Sequence, residues 1–217
     1  MPLGQNRYLG DPAAIYRESF AAIRREARVE ELPADLVPVA VRLIHACGMP
    51  DIVADLAWTE DAVRAGRSAL RAGAPILVDA TMVAAGIRRM GLPAHNAILC
   101  TLRDEATAAR ARAMATTRSA AAVDGWCDQL GGAVVAIGNA PTALFRLLEL
   151  LAGGAPRPAL VLGFPVGLIG AAEAKEALID FRPQLAHIAL RGRRGGSAMA
   201  AAALNALFAE DSTQDLP

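Results

Sequence analysis

Five short apolar runs, all beyond residue 74, set the strongest limit on what this chain can fold into. They are PILVD (75–79), NAILCT (96–101), AVVAI (133–137), PALVLG (158–163) and AHIALR (186–191). Each is bounded by Gly, Pro or Asn and is followed by a helical pattern, directly or after a loop. Continuous apolar character, rather than alternation, is what a strand covered on both faces requires. Strands separated by helices imply right-handed crossovers and a parallel sheet. The pattern predicts an α/β fold: a three-layer α/β/α sandwich on a mainly parallel five-stranded sheet of flavodoxin-like order, with an N-terminal helical region packed against it.

The first 73 residues read as helical. Asp11-Pro12 is a cap followed by proline at the first helical position, opening a helix over 13–27. Pro33 opens a second helix over 34–48, which Gly48 can end, and a third amphipathic stretch covers about 60–72 before Gly73. The expected organisation is one domain over residues 1–217: a helical part (1–73), βα units (74–209) and a frayed tail (210–217).

Composition excludes several classes. With 54% hydrophobic and 20% charged residues the chain is not of the disordered kind. Its zero formal net charge argues against a general affinity for nucleic acid or anionic membranes. The opening MPLGQNRYLGDP lacks an apolar leader, and the least charged stretch, 158–172, is too short and too broken by Pro and Gly to span a bilayer. Cys47, Cys100 and Cys127 are scattered, as in a reducing cytosol, and show no metal-ligand spacing. A cytoplasmic protein is expected. Lys175 is the only lysine among 22 basic residues, a bias that G- and C-rich coding would produce without functional meaning.

In open α/β sheets ligands sit beyond the carboxyl ends of the strands. The segments there are 79–83, 101–107, 138–145, 163–173 and 191–199. Three of them are glycine-rich and lead into helices, whose N-termini favour anions, so an acidic ligand is expected. His45 draws attention on the second helix. Leu36, Ala40, Leu43 and Cys47 share one face there, and His45 falls opposite, with Arg42 one turn earlier. Such a histidine is either idle at the surface or faces a ligand or another subunit. Its ordinary pKa of ~6.5 suits acid–base work. His45-Ala46-Cys47 offers too few ligands for zinc, so no metal is expected.

His95 and His187 sit at strand starts and read as structural or solvated. Cys100 reads as buried and inert. Arg118 and Ser119 open an Ala-rich helix, where a capping serine and a surface arginine are the plain alternative. Arg191, Arg193 and Arg194 are either a solvated turn or, with Gly195, Gly196 and Ser197, an anion-binding loop. A receiver domain fails because Asp79 stands alone, the third strand ends in Gly-Asn-Ala, and the fifth ends in arginine. A dinucleotide fold fails because no GxGxxG follows the first strand.

Seven segments occur together in order: IYRESFAAIRREA (15–27), VRLIHACG (41–48), AGAPILVDATMVAAGI (72–87), TRSAAA (117–122), VAIGNAPTALF (135–145), GFPVGLIGAAEAKEAL (163–178) and RGRRGGSAMAAAALNAL (191–207). In them the chain resembles the precorrin-8X methylmutase family of cobalamin biosynthesis over nearly its whole length. Leu168, where the family has Phe, and Ala174, where it has Ser, depart from the pattern.

The resemblance implies an isomerase without a cofactor, moving a methyl group from ring carbon 11 to ring carbon 12 of a tetrapyrrole to give hydrogenobyrinate. It puts the catalytic histidine at His45 and substrate-contacting serine and arginine at Ser19 and Arg42. It also implies a homodimer with the macrocycle near the subunit interface. Arg118, Ser119, Asn139, Thr142, Arg191 and Gly196, on matching motifs at strand-end loops, complete the expected substrate contacts. A sigmatropic shift needs a rigid pocket and a proton donor to the ring, and His45 as imidazolium can be that donor. Arginine forks suit the substrate's acid arms. Rival readings are a cobalt-precorrin-8 methylmutase, a corrinoid carrier, and a phosphate-binding enzyme using the same glycine loops.

Overall fold

The computed structural model describes residues 8–209, so the expected frayed tail at 210–217 lies outside the described residues. The first helix, α1 (Pro12–Glu26), begins as its sequence dictates. Asp11 caps it by accepting the Ala13 N–H at 3.1 Å, and Pro12 occupies a position that needs no N–H. Helix α2 (Val37–Cys47) starts later than expected. The Pro33 carbonyl takes the N–H groups of Leu36 and Val37, so residues 34–36 form a turn and the helix opens with Pro38 in its first turn. Gly48 ends it at φ +68°, a left-handed conformation that costs glycine nothing.

A 3₁₀ turn (Pro50–Asp55) leads into β1 (Leu56–Trp58), which the sequence pattern does not disclose. Then follow α3 (Ala62–Arg71), β2 (Ile76–Val78), α4 (Thr81–Gly86), β3 (Ile98–Leu99), α5 (Glu105–Ala113) and α6 (Arg118–Asp124). The chain closes with β4 (Val134–Ile137), α7 (Pro141–Ala152), β5 (Leu160–Gly163), α8 (Ala171–Ile179), β6 (His187–Leu190) and α9 (Ser197–Phe208).

The sheet therefore has six strands rather than five, in the order β1-β6-β5-β4-β2-β3. The five expected strands pair in parallel and keep flavodoxin-like order. The extra strand, β1, adds antiparallel to β6, with Leu56 opposite Leu190 and Trp58 opposite Ile188.

Strand residues divide by parity between two apolar layers, as a pleated sheet demands. Ile76, Val78, Val134, Ala136, Leu160 and Leu162 face a layer holding α2, α3 and α9. Leu77, Val135, Ile137 and Val161 face α7 and α8, with Leu144, Leu147 and Leu178 buried against them. Burying each Val, Leu or Ile side chain among them contributes about 1.5–3 kcal/mol. Helix α9 lies at the centre of the first layer and packs on both α2 and α4. The N-terminal helices are thus part of the sandwich, which brings the end of α2 toward the carboxyl edge of the sheet.

His187 is buried, with its Nδ1 2.9 Å from the Leu185 carbonyl oxygen, while His95 is exposed. Cys100 is only half-buried, and burial pushes its thiol pKa up. No helix among the described residues is long and apolar enough to cross a membrane.

Candidate active site

After β2 the chain turns one way to β3, while β4 lies on the other side, so the crevice between β2 and β4 is where an open sheet offers a ligand site. Asp79 closes the bottom of it. It is wholly buried, and its carboxylate accepts the N–H groups of Gly138 (2.9 Å), Asn139 (2.9 Å) and Ala140 (2.7 Å). Burial raises its pKa, and the three donors oppose that rise. Of the three glycine-rich loops expected to meet an acidic ligand, the one that opens α7 has its Gly138–Ala140 amides engaged from within. The protein's own carboxylate already takes that place, and the loop it organises presents Asn139 outward.

Thr142, in the first turn of α7, lies with its Oγ1 2.8 Å from Oγ1 of Thr117. Thr117 also accepts the Ala120 N–H at 3.1 Å, so it, rather than Ser119, caps α6. Arg118 and Ser119 are the next residues, and the exposed Arg118 lines a shallow cleft with Arg112 and Thr116. This bond joins two segments far apart in sequence and gathers Arg118, Ser119, Asn139 and Thr142 along one stretch of the edge.

The loop after β6 is less open to a ligand than its sequence suggests. Arg191 pairs with Glu176 of α8, and Arg194 reaches Asp51 at 2.6 Å and Asp55 at 2.5 Å. Gly196 donates its amide to the Phe164 carbonyl at 2.8 Å, so that group faces the protein. Arg191 and Arg193 are both exposed, and the Arg193 carbonyl accepts the Gly167 N–H at 3.2 Å.

His45 stands exposed in the last turn of α2, opposite buried Leu36, Ala40 and Leu43. Its Nδ1 is 2.9 Å from Ser19 Oγ on α1. The rings of Tyr16 and Phe20 flank it at centroid distances of 5.1 and 5.4 Å. Tyr16, Ser19 and Phe20 follow the i, i+3, i+4 spacing of one helix face, so α1 meets the imidazole with two rings and a hydroxyl. That spacing around Ser19 is the signal that could have pointed to Tyr16 and Phe20.

Partial burial, and secondarily the Arg42 guanidinium one turn away, hold the His45 pKa below its usual value. Near neutral pH the free ring is therefore mainly neutral, and the imidazolium that the expected donor role needs is its minority form. A serine hydroxyl can donate to or accept from Nδ1, so it fits both protonation states. With Nδ1 so engaged, Nε2 is the ring nitrogen left for another partner.

The two regions are tied together through Arg194. From the β6–α9 loop it reaches Met49 (Sδ at 3.9 Å), Asp51 and Asp55, just beyond the end of the helix that carries His45.

The chain and its fold are similar to those of several known proteins. A precorrin-8X methylmutase of Pseudomonas aeruginosa is 57% identical over 203 residues, 94% of this chain and 98% of that protein. A cobalt-precorrin-8 methylmutase of Priestia megaterium is 33% identical, covering 90% of this chain and 87% of that protein. The solved structure of a precorrin-8x methyl mutase from Thermus thermophilus superposes with a TM-score of 0.81 at 42% identity, covering 90% of this chain and 94% of that one. The family model described as precorrin-8X methylmutase matches residues 14–210, and the chain belongs to that family.

Proposed function

We propose that this chain is an isomerase of cobalamin biosynthesis that moves a methyl group from ring carbon 11 to ring carbon 12 of precorrin-8X, giving hydrogenobyrinate, with His45 as proton donor to the macrocycle. The single observation that carries the reading is the Ser19–His45 pair, held between two aromatic rings in a chain of this family.

The chemistry asks little of the protein beyond geometry and one proton. A 1,5-sigmatropic shift exchanges one carbon–carbon bond for another around a conjugated system. Protonation of a ring nitrogen withdraws electron density and drives the system toward product. The group that delivers it must be rigid, because orientation supplies much of the rate. Ser19 fixes the ring plane of His45, and Tyr16 and Phe20 restrict its rotation.

In the free chain burial and Arg42 keep the ring's pKa low, so it carries little charge until substrate binds. The imidazolium itself forms in the complex, where the acid arms of the substrate bring negative charge close to the ring and raise its pKa. Ser19, Arg42, Arg118, Ser119, Asn139 and Thr142 contact the substrate, Arg42 and Arg118 receive its carboxylates, and Arg191 does so by exchanging its Glu176 partner for one of them. Gly196 shapes the loop rather than donating its amide.

The enzyme acts in the cytoplasm as a homodimer with the macrocycle near the subunit interface. Exposed Val166, Leu168 and Ile169 in the loop after β5 support an interface at this edge. The higher identity to the precorrin-8X enzyme than to the cobalt-precorrin-8 enzyme favours the cobalt-free substrate. Incubation of purified protein with precorrin-8X, followed by absorbance of the coloured product, tests the reading. Many turnovers per site support an isomerase. A single equivalent of product would make the protein a corrinoid carrier.

A further inference from the structure

Lys175, the single lysine of the chain, has no exposed surface. It lies on α8 among buried Ala171, Ala174 and Leu178, and its ammonium donates to the Arg194 carbonyl at 2.6 Å. Burial brings its pKa down to about 8. An ammonium taken out of water is costly, and an unbranched apolar side chain such as methionine would fill the same space without that penalty. Stability alone does not account for a lysine here.

The bond acts on the β6–α9 loop, where each of four consecutive residues is bonded to or packed tightly against another segment. Arg193 accepts the Gly167 amide through its carbonyl. Arg194 turns its carbonyl to Lys175 and its guanidinium to Asp51 and Asp55. Gly195 lies so close to the carbonyl oxygens of Phe164 and Pro165 that a Cβ would collide with both. Gly196 donates to the Phe164 carbonyl. The one long side chain that this rigid segment leaves exposed is that of Arg193.

We propose that Lys175 is a positioning residue for substrate recognition: by holding the Arg194 carbonyl it fixes the Arg193–Gly196 segment, and with it the Arg193 side chain, in the shape that receives a carboxylate arm of the substrate. This rests on the functional reading above, in which the substrate is a tetrapyrrole with acid arms.

Lys175→Met in the full chain removes the ammonium and keeps the volume. Isothermal titration with hydrogenobyrinate should show affinity weakened about tenfold, and KM for precorrin-8X should rise alike, with kcat nearly unchanged. The melting temperature should hold or rise. In an Arg193→Ala background the lysine substitution should add no further loss, because both act on one contact. Affinity within about twofold of the unsubstituted protein overturns the proposal. Additive losses in the double variant overturn it too. Should Lys175→Met not fold, Gly195→Ala disturbs the same segment from its other side; a folded Gly195→Ala protein that binds normally overturns the proposal, and one that binds weakly supports it. Failure of the unsubstituted protein to bind hydrogenobyrinate would instead defeat the functional reading.

Discussion

Ser19 and His45 lie 26 residues apart in the chain and 2.9 Å apart in space, Oγ to Nδ1, across the contact between α1 and α2. This pairing decides which imidazole nitrogen can act. It leaves Nε2 without a part in that bond, with the ring plane set by a hydrogen bond and by the faces and edges of Tyr16 and Phe20.

Replacing His45 by alanine should cut turnover by about 10²–10⁴, the usual worth of a positioned acid. The side chain is exposed, so the fold and hydrogenobyrinate affinity should change little. Steady-state kinetics and far-UV circular dichroism measure both. Near-normal turnover would remove His45 from the mechanism.

The direction of the His45 pKa predicts two pH effects. Because burial and Arg42 lower it, protonation of the free enzyme's ring is lost as pH rises through a value below ~6.5. If the imidazolium reacts, kcat/KM falls over that range, whereas kcat falls at higher pH, since bound carboxylates raise the pKa in the complex. For stability the sign is opposite: between the folded and unfolded pKa values the unfolded chain binds more protons, so stability contributed by this group rises with pH. Proton NMR titration of the imidazole, with Phe20→Ala to relieve the burial, checks the cause. The variant should titrate at higher pH, and an unchanged midpoint would exclude the ring as the origin of the shift.

Asp79→Asn should loosen the loop that carries Asn139 and Thr142. The amide turns one acceptor oxygen into a donor facing backbone N–H groups, which leaves buried donors unsatisfied at a cost of about 1–3 kcal/mol. Urea unfolding should show that loss of stability, and titration should show weaker hydrogenobyrinate binding. Unchanged values in both would mean that water takes over the carboxylate's role.

Arg118→Ala should weaken hydrogenobyrinate binding by about 1.5–3 kcal/mol, the worth of a charge-assisted contact, and leave chemistry at saturation largely intact. The same variant tests the shared site. Mixed with His45→Ala protein, it should regain activity if Arg118 and His45 serve one site from different subunits of a homodimer. Activity that stays at the level of the parents puts both residues in one subunit, and sedimentation showing an active monomer would exclude the dimer.

The five parallel strands and the exposed place of His45 were legible in the sequence by itself. A strand buried on both faces must be apolar throughout, so each of the five runs carries its own record, and helical periodicity alone puts His45 opposite Leu36, Ala40 and Leu43. Tertiary structure decided the rest. Strand β1 is three residues long, and its pairing with β6 depends on a partner more than a hundred residues away, which leaves no local pattern to read. Asp79 shows nothing in its neighbours of the three amides it holds, because they lie 59 to 61 residues further on. Arg191 and Arg194 read as open to an anion until folding brings Glu176, Asp51 and Asp55 against them. Tyr16 and Phe20 reach His45 only because α1 packs against α2. Local sequence records what each residue needs from its own segment; which distant group meets that need is set by packing, and most of the site's chemistry depends on those distant meetings.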